Sequence, residues 1–188
     1  MKKAIFIIAS LALATGFNSC KKGCTNPKAY NYNAKKKKDN GSCELYKSVT
    51  LSSIDIKTVP EYNPNGVFWD SGNGTDLDND NTRPDLFVKF RVEGGYSDVS
   101  NSYFPTINPG NVNKTKYLGS PLELSNWDGQ VFWAYFYEID NATTNPHYEL
   151  MDSVEIRPFL ESASDKFRDT LDISSGDISF TANMQWNK

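Results

Sequence analysis

Histidine occurs once in this chain, at His147, and cysteine only three times, at Cys20, Cys24 and Cys43. Neither Gly-x-Ser-x-Gly nor His-Glu-x-x-His occurs in the 188 residues, so the usual signatures of nucleophilic and zinc-dependent hydrolysis are missing. His147, next to Pro146, reads as a loop residue rather than a catalyst. Helical stripes are absent as well: no window of about 12 residues places apolar side chains at helical spacing. Charge is not in excess in either direction, with 20 basic against 23 acidic residues, and nothing in that balance points to nucleic acid. The longest apolar run, Ala4 to Ala14, is far shorter than the roughly 20 residues that cross a bilayer. No internal repeat and no second large domain can be read from the chain.

What the chain does have, from Lys47 onward, is short alternating runs separated by Gly, Asn, Pro and Asp. The alternation predicts strands near Val49–Val59, Leu86–Val92, Gln130–Asp140, Asp152–Phe159 and Ile178–Trp186. Weaker candidates lie near Tyr103–Ile107, Lys116–Leu118 and Leu122–Leu124, and Leu160–Phe167 has room for a helical turn or two. In the last strand Ile178, Phe180, Ala182, Met184 and Trp186 alternate with polar residues, the period of a half-buried strand. Many short strands joined by polar turns describe an all-β sandwich or barrel.

The start, MKKAIFIIASLALATGFNSC, has two lysines, a short apolar run and small residues before a cysteine. This is the pattern of an export signal. Its end, Phe17-Asn18-Ser19-Cys20, resembles a loose bacterial lipobox of the kind found in Bacteroidota. The resemblance implies a signal peptide over 1–19, a lipidated start over 20–23 with diacylglycerol on Cys20, and a protein held on the outer membrane by acyl chains. Because Lys21 and Lys22 rather than acids follow the cysteine, the periplasmic leaflet is favoured over the cell surface. Removing Lys2 and Lys3 with the signal takes the 20 basic residues to 18 against 23 acidic, a net charge of −5.

With Cys20 committed to lipid, Cys24 and Cys43 remain in a compartment where disulfides persist, and they are expected to pair. The segment GCTNPKAYNYNAKKKKDNGSC resembles a short cysteine-bracketed module of exported Bacteroidota proteins, C-T-[DN]-P-x-A-x-N-Y-N…D-[DN]-G-S-C, here assigned to residues 24–44. Lys35 to Lys38 with Lys21, Lys22 and Lys28 form a basic collar next to the anchor. The collar either rests on anionic head groups or is a solvated charge run.

The stretch WDSGNGTDLDNDNTRPDLFVKFRV brings Asp70, Asp76, Asp78, Asp80 and Asp85 together with glycines and asparagines just before an alternating strand. Such a loop is composed like a calcium loop, or it is a solvated insertion that binds nothing. Further on, Glu138 and Asp140 point the same way from the end of a strand, and Glu149 follows a polar loop. An acid-bearing loop ending in Pro84-Asp85-Leu86-Phe87-Val88-Lys89, then Tyr137-Glu138-Ile139-Asp140, a loop and Glu149, resembles the C2 domain. Lys114-Thr115-Lys116 resembles a run near the middle of that family. The resemblance implies an antiparallel β-sandwich over 47–188 with calcium held by Asp70, Asp85, Glu138, Asp140 and Glu149, supplemented by Asp76, Asp78 or Asp80. It departs from the family where Glu138 and Glu149 replace Asp and where His147-Tyr148 stands in place of a further acid.

Glu138 and Asp140 are also the kind of pair that hydrolyses glycosides, but no sugar-lined cleft can be read around them and no enzymatic activity is expected. The expected work is binding: a lipid-anchored interaction module, ordered by calcium, serving as accessory subunit of an outer-membrane complex. The alternative is a carbohydrate-binding lipoprotein that holds glycans on exposed aromatics. Trp127, in the polar stretch Ser125–Gly129, reads as the most exposed, and Trp69 borders the acidic loop.

Overall fold

The computed structural model describes residues 22–69, 84, 86–92, 100–103, 114–140 and 147–188. The chain divides into two compact units, the first ending at Tyr46 and the second running from Lys47 to Lys188.

Among its described residues the first unit has almost no apolar core, with only Cys24 and Ala29 buried. Local hydrogen bonds and one covalent link hold it instead. Cys24 and Cys43 form the expected disulfide, with their Cα atoms 4.7 Å apart. The Asn31 side chain donates to the Ser42 carbonyl at 2.6 Å and accepts from the Glu44 amide at 3.0 Å, tying the two arms together. Asn26, Asn33 and Asp39 each accept an amide two residues on, the local bond that makes these residues turn formers. Gly41, at φ 77, takes the left-handed backbone that side-chain-bearing residues avoid. The Asn and Asp positions of the module motif therefore have structural employment.

The described residues of the second unit form eight strands: β1 Ser48–Thr58, β2 Leu86–Val92, β3 Ser100–Tyr103, β4 Lys114–Leu124, β5 Phe132–Asp140, β6 His147–Ile156, β7 Thr170–Ser175 and β8 Ile178–Asn187. They form two antiparallel four-stranded sheets, in the orders β4-β1-β8-β7 and β3-β2-β5-β6. The two sheets make a β-sandwich, the fold expected from the alternation. Val49, Leu51, Ile54 and Ile56 of β1 and Ile178, Phe180, Ala182 and Met184 of β8 are buried. So are Leu86, Val88 and Phe90 of β2 and Phe132, Ala134 and Phe136 of β5. Phe136 of the second sheet meets Phe180 of the first with ring centroids 5.4 Å apart, so the two sheets share one core.

Several elements differ from expectation. β4 is one strand where two fragments were expected, and it contains Pro121, which is exposed. β4 lies at the edge of its sheet, where a residue without an amide hydrogen costs no ladder bond. β6 starts at His147 rather than Asp152, because residues 147–150 continue the ladder along the end of β5. β7 was not expected; its two apolar residues, Leu171 and Ile173, are bounded by polar neighbours. The stretch Leu160–Phe167 forms turns and bends, with the Ala163 amide donating to the Leu160 carbonyl, and no helix.

Candidate functional site

The register of the second sheet decides which predicted ligands can share an end of the sandwich. Glu138 pairs with Glu149 across β5 and β6, Asp140 pairs with His147, and Glu138 pairs on its other side with Leu86, the first residue of β2. Glu138, Asp140 and Glu149 therefore gather at one end of this sheet, at the point where β2 begins. Cross-strand partners share a face of the sheet, so Glu138 and Glu149 project to the same side. Glu138 continues the inward row of Phe132, Ala134 and Phe136 and is 2% exposed, whereas Glu149 is exposed. Burying a carboxylate is costly unless positive charge or hydrogen-bond donors meet it. Hard carboxylate oxygens converging on one end are the donor set that calcium takes. Among the described residues no group of three metal-ligating side chains forms. Asp70, Asp76, Asp78, Asp80, Asp85 and the side chain of Asp140 lie outside the described residues, as does Cys20.

Trp127 is not where the polar stretch around it suggested. It is 5% exposed, with its ring 4.7 Å from Phe159, 5.7 Å from Phe167 and 5.4 Å from Trp186, each in edge-to-face contact. The amides of Gly129 and Gln130 donate to the Asn126 carbonyl, and this turn folds the indole inward. The expectation of an exposed Trp127 is thereby corrected. Trp69 is half-buried, and its indole N–H is buried without an acceptor among the described residues.

The outer faces of the two sheets differ in chemistry. On the first sheet, Asp172 accepts from Lys57 at 2.7 Å and from the Thr181 hydroxyl, and Asn183 donates to Asp55 at 3.0 Å. The hydrogen bonds from Lys57 and then Thr181 hold the Asp172 carboxyl below its ordinary value. This face is polar and its groups bond mostly to one another, although Asp55 Oδ1 is buried without a partner among the described residues.

The outer face of the second sheet is aromatic and cationic. Trp133, Tyr135 and Tyr137 of β5 are half-exposed, and Tyr148 and Leu150 of β6 are exposed. Phe87, Tyr137 and Tyr148 form a triangle of rings, with Phe87 6.2 Å from Tyr137 and 5.2 Å from Tyr148, and the two tyrosines 6.2 Å apart. Lys89 Nζ stands 5.9 Å from each of these three rings, and Arg91 lies 5.6 Å from Tyr135. The strand expected over Gln130–Asp140 contains this row, but the sequence does not show that Trp133 faces outward. On β5 both alternating rows are apolar or aromatic, so the pattern does not say which one faces water.

A cleft of about 570 Å³ also opens beside the end of β1, lined by Lys57, Thr58, Glu61, Tyr62, Ser174 and Asp177. Its walls come from two segments more than a hundred residues apart, which no local motif connects.

The chain is thus an antiparallel β-sandwich that follows a disulfide-closed unit and gathers carboxylates at one sheet end. No family model matches the chain, and no curated protein matches it. Among solved structures it is similar to Drosophila C2-DSL-EGF1, at 11% identity and a TM-score of 0.41, over 74% of this chain and 67% of that one.

Proposed function

We propose that this chain is a lipid-anchored, non-catalytic binding module of a bacterial outer membrane, an accessory subunit of an envelope complex with one sandwich end ordered by calcium. The observation that carries the calcium reading is the register of β5 and β6, which sets the buried Glu138 beside Glu149 and Asp140 beyond them at the start of β2. Glu138, Asp140 and Glu149 would hold the ion together with Asp70 and Asp85 of the preceding loop, and Asp76, Asp78 or Asp80 would supply further oxygens. Bound calcium neutralises mutually repelling carboxylates and draws their loops into one arrangement that a partner can recognise.

Thermal unfolding in calcium and in chelator tests this directly. A ligand that binds only the folded state at about 100 times its Kd adds roughly 2.7 kcal/mol, which raises the midpoint of a sandwich this size by several degrees. The rise is expected in the native chain and is expected to vanish in Asp140→Asn and shrink in Glu149→Gln. An unchanged midpoint up to millimolar calcium would remove calcium from the proposal.

A second reading, carbohydrate binding, is favoured by the outer face of the second sheet rather than by Trp127. Sugar rings stack on half-exposed aromatics, and Tyr135, Tyr148 and Trp133 offer them beside Lys89 and Arg91. Tyr135→Ala is expected to weaken binding of a recognised polysaccharide about tenfold, with little change in melting temperature. Affinity electrophoresis in gels containing acidic and neutral polysaccharides reads this out. Equal retardation of native and variant chains would dismiss the face as a glycan site.

A further inference from the structure

The basic run of the first unit is not carried on a loop that swings away from the chain start. A parallel bridge pairs Lys22 with Lys38. The next residue, Gly23, donates its amide to the Lys38 carbonyl at 3.0 Å. The stem of Lys36 lies over Gly23 so closely that a Cβ there would come within 2.8 Å of its Cγ. Cys24 then closes the disulfide to Cys43. Three successive residues thus bind the run to the segment that leads back to Cys20.

Chain reach turns this into a distance from the anchor. Two residues span at most about 7 Å, so the Lys22 Cα stays within that distance of the Cys20 Cα whatever conformation lies between. The electrostatic screening length at physiological ionic strength is about 8 Å. With acyl chains on Cys20, chain reach keeps Lys22 within about one screening length of the head groups, and the bridge keeps Lys38 within about one strand spacing, roughly 5 Å, of Lys22. The charge is suited to that place: residues 22–46 carry six lysines against two acids, in a chain of net charge −3. Those two acids are engaged within the unit, Asp39 accepting from the Gly41 amide and Glu44 from the Tyr30 hydroxyl. Lys22, Lys35, Lys37 and Lys38 are exposed.

We infer that Lys22 and Lys35–Lys38 form a docking surface for the head groups of anionic phospholipids, which holds the disulfide unit flat on the membrane beside its own lipid anchor. The inference rests on the lipid-anchor reading for its setting, whereas its chemistry can be measured without the lipid. The chain from Lys21 to Lys188 keeps every described residue, including the Cys24–Cys43 bond, and carries no acyl group. Its partitioning is measured onto vesicles of pure phosphatidylcholine and onto vesicles of phosphatidylcholine with phosphatidylglycerol.

Binding is expected on the anionic vesicles only, and it is expected to weaken steeply as salt rises. Replacing Lys35, Lys36, Lys37 and Lys38 together by glutamine should weaken it by at least about tenfold, since each lysine near such a surface is worth about fivefold. Intact disulfide by mass and an unchanged thermal midpoint establish that this variant is folded. Equal binding to both vesicle types, or equal binding of native and variant chains, would overturn the inference. So would tighter retention on heparin or DNA than on anionic vesicles. Mass spectrometry of the full chain recovered from membranes separates the two ideas: an unmodified Cys20 removes the anchor, whereas a lipidated Cys20 with no vesicle binding removes only the docking surface.

Discussion

Trp127→Ala is expected to destabilise the sandwich by about 3–5 kcal/mol, the range for deleting a large buried ring. The indole is 5% exposed and sits where Phe159, Phe167 and Trp186 converge. Those three rings do not close up readily once it is gone. Phe167 is held against Trp186 at 5.0 Å and Phe159 at 5.5 Å, and the Trp186 indole is fixed by donating to the Arg168 carbonyl at 3.0 Å. The truncated site therefore keeps a cavity, and the loss includes both the transfer of the ring and the contacts of its neighbours. A loss this size is a large share of the 5–15 kcal/mol that usually separates folded from unfolded chains.

Urea unfolding followed by fluorescence checks it, with Trp127→Phe as a milder companion that keeps an aromatic in the cluster. Were Trp127 a sugar-stacking residue on the surface, alanine would change stability by less than about 0.5 kcal/mol and act on ligand affinity instead. A midpoint within error of the native chain would therefore restore the exposed placement and undo the packing described above.

The error about Trp127 shows where local pattern stops informing. Ser125, Asn126, Asp128 and Gly129 surround it with turn formers, but its partners arrive from 32 to 59 residues downstream, at Phe159, Phe167 and Trp186. β2 and β8 were legible because each has one wholly apolar row that is largely buried and a second row that is mostly polar, with Phe87 the exception in β2. β5 has two rows that both look like core, and only the position of Phe136 against Phe180 decides between them. β7 escaped because Leu171 and Ile173 are too few to distinguish from a turn. At the candidate calcium end, Glu138 and Asp140 were visible as a strand-end pair, and the register adds Glu149 to them. The cleft beside β1 had no sequence signal, because Lys57 and Asp177 meet only through the pairing of β1, β7 and β8.

Reduction of the Cys24–Cys43 bond, or its removal as Cys24→Ser with Cys43→Ser, is expected to unfold the first unit and leave the melting transition of the second in place. The bond closes a loop with a sequence separation of 19, and a loop of that length loses about 3 kcal/mol of unfolded-state entropy when closed. In a large domain such a contribution would be one among many. Here, among the described residues, only Cys24 itself and Ala29 are buried, and exposed hydrogen bonds such as those of Asn31 yield little net stability because water competes for both partners. Other contacts among the described residues of the unit, such as the Tyr30–Tyr46 ring pair at 4.8 Å, lie near the surface and offset only part of the backbone entropy of ordering its residues.

The expected readout is rapid hydrogen exchange at the amides of Gly23, Asn33, Gly41 and Glu44, which are bonded in the intact unit, and tryptic cutting at Lys35–Lys38 at low protease. Amides of β1 and β8, whose ladder belongs wholly to the second unit, should keep their protection. Protection retained at Gly23 and Glu44 after reduction would mean that the turns of Asn26, Asn33 and Asp39 suffice without the bond. Loss of protection in β1 and β8 as well would mean that the two units do not unfold separately.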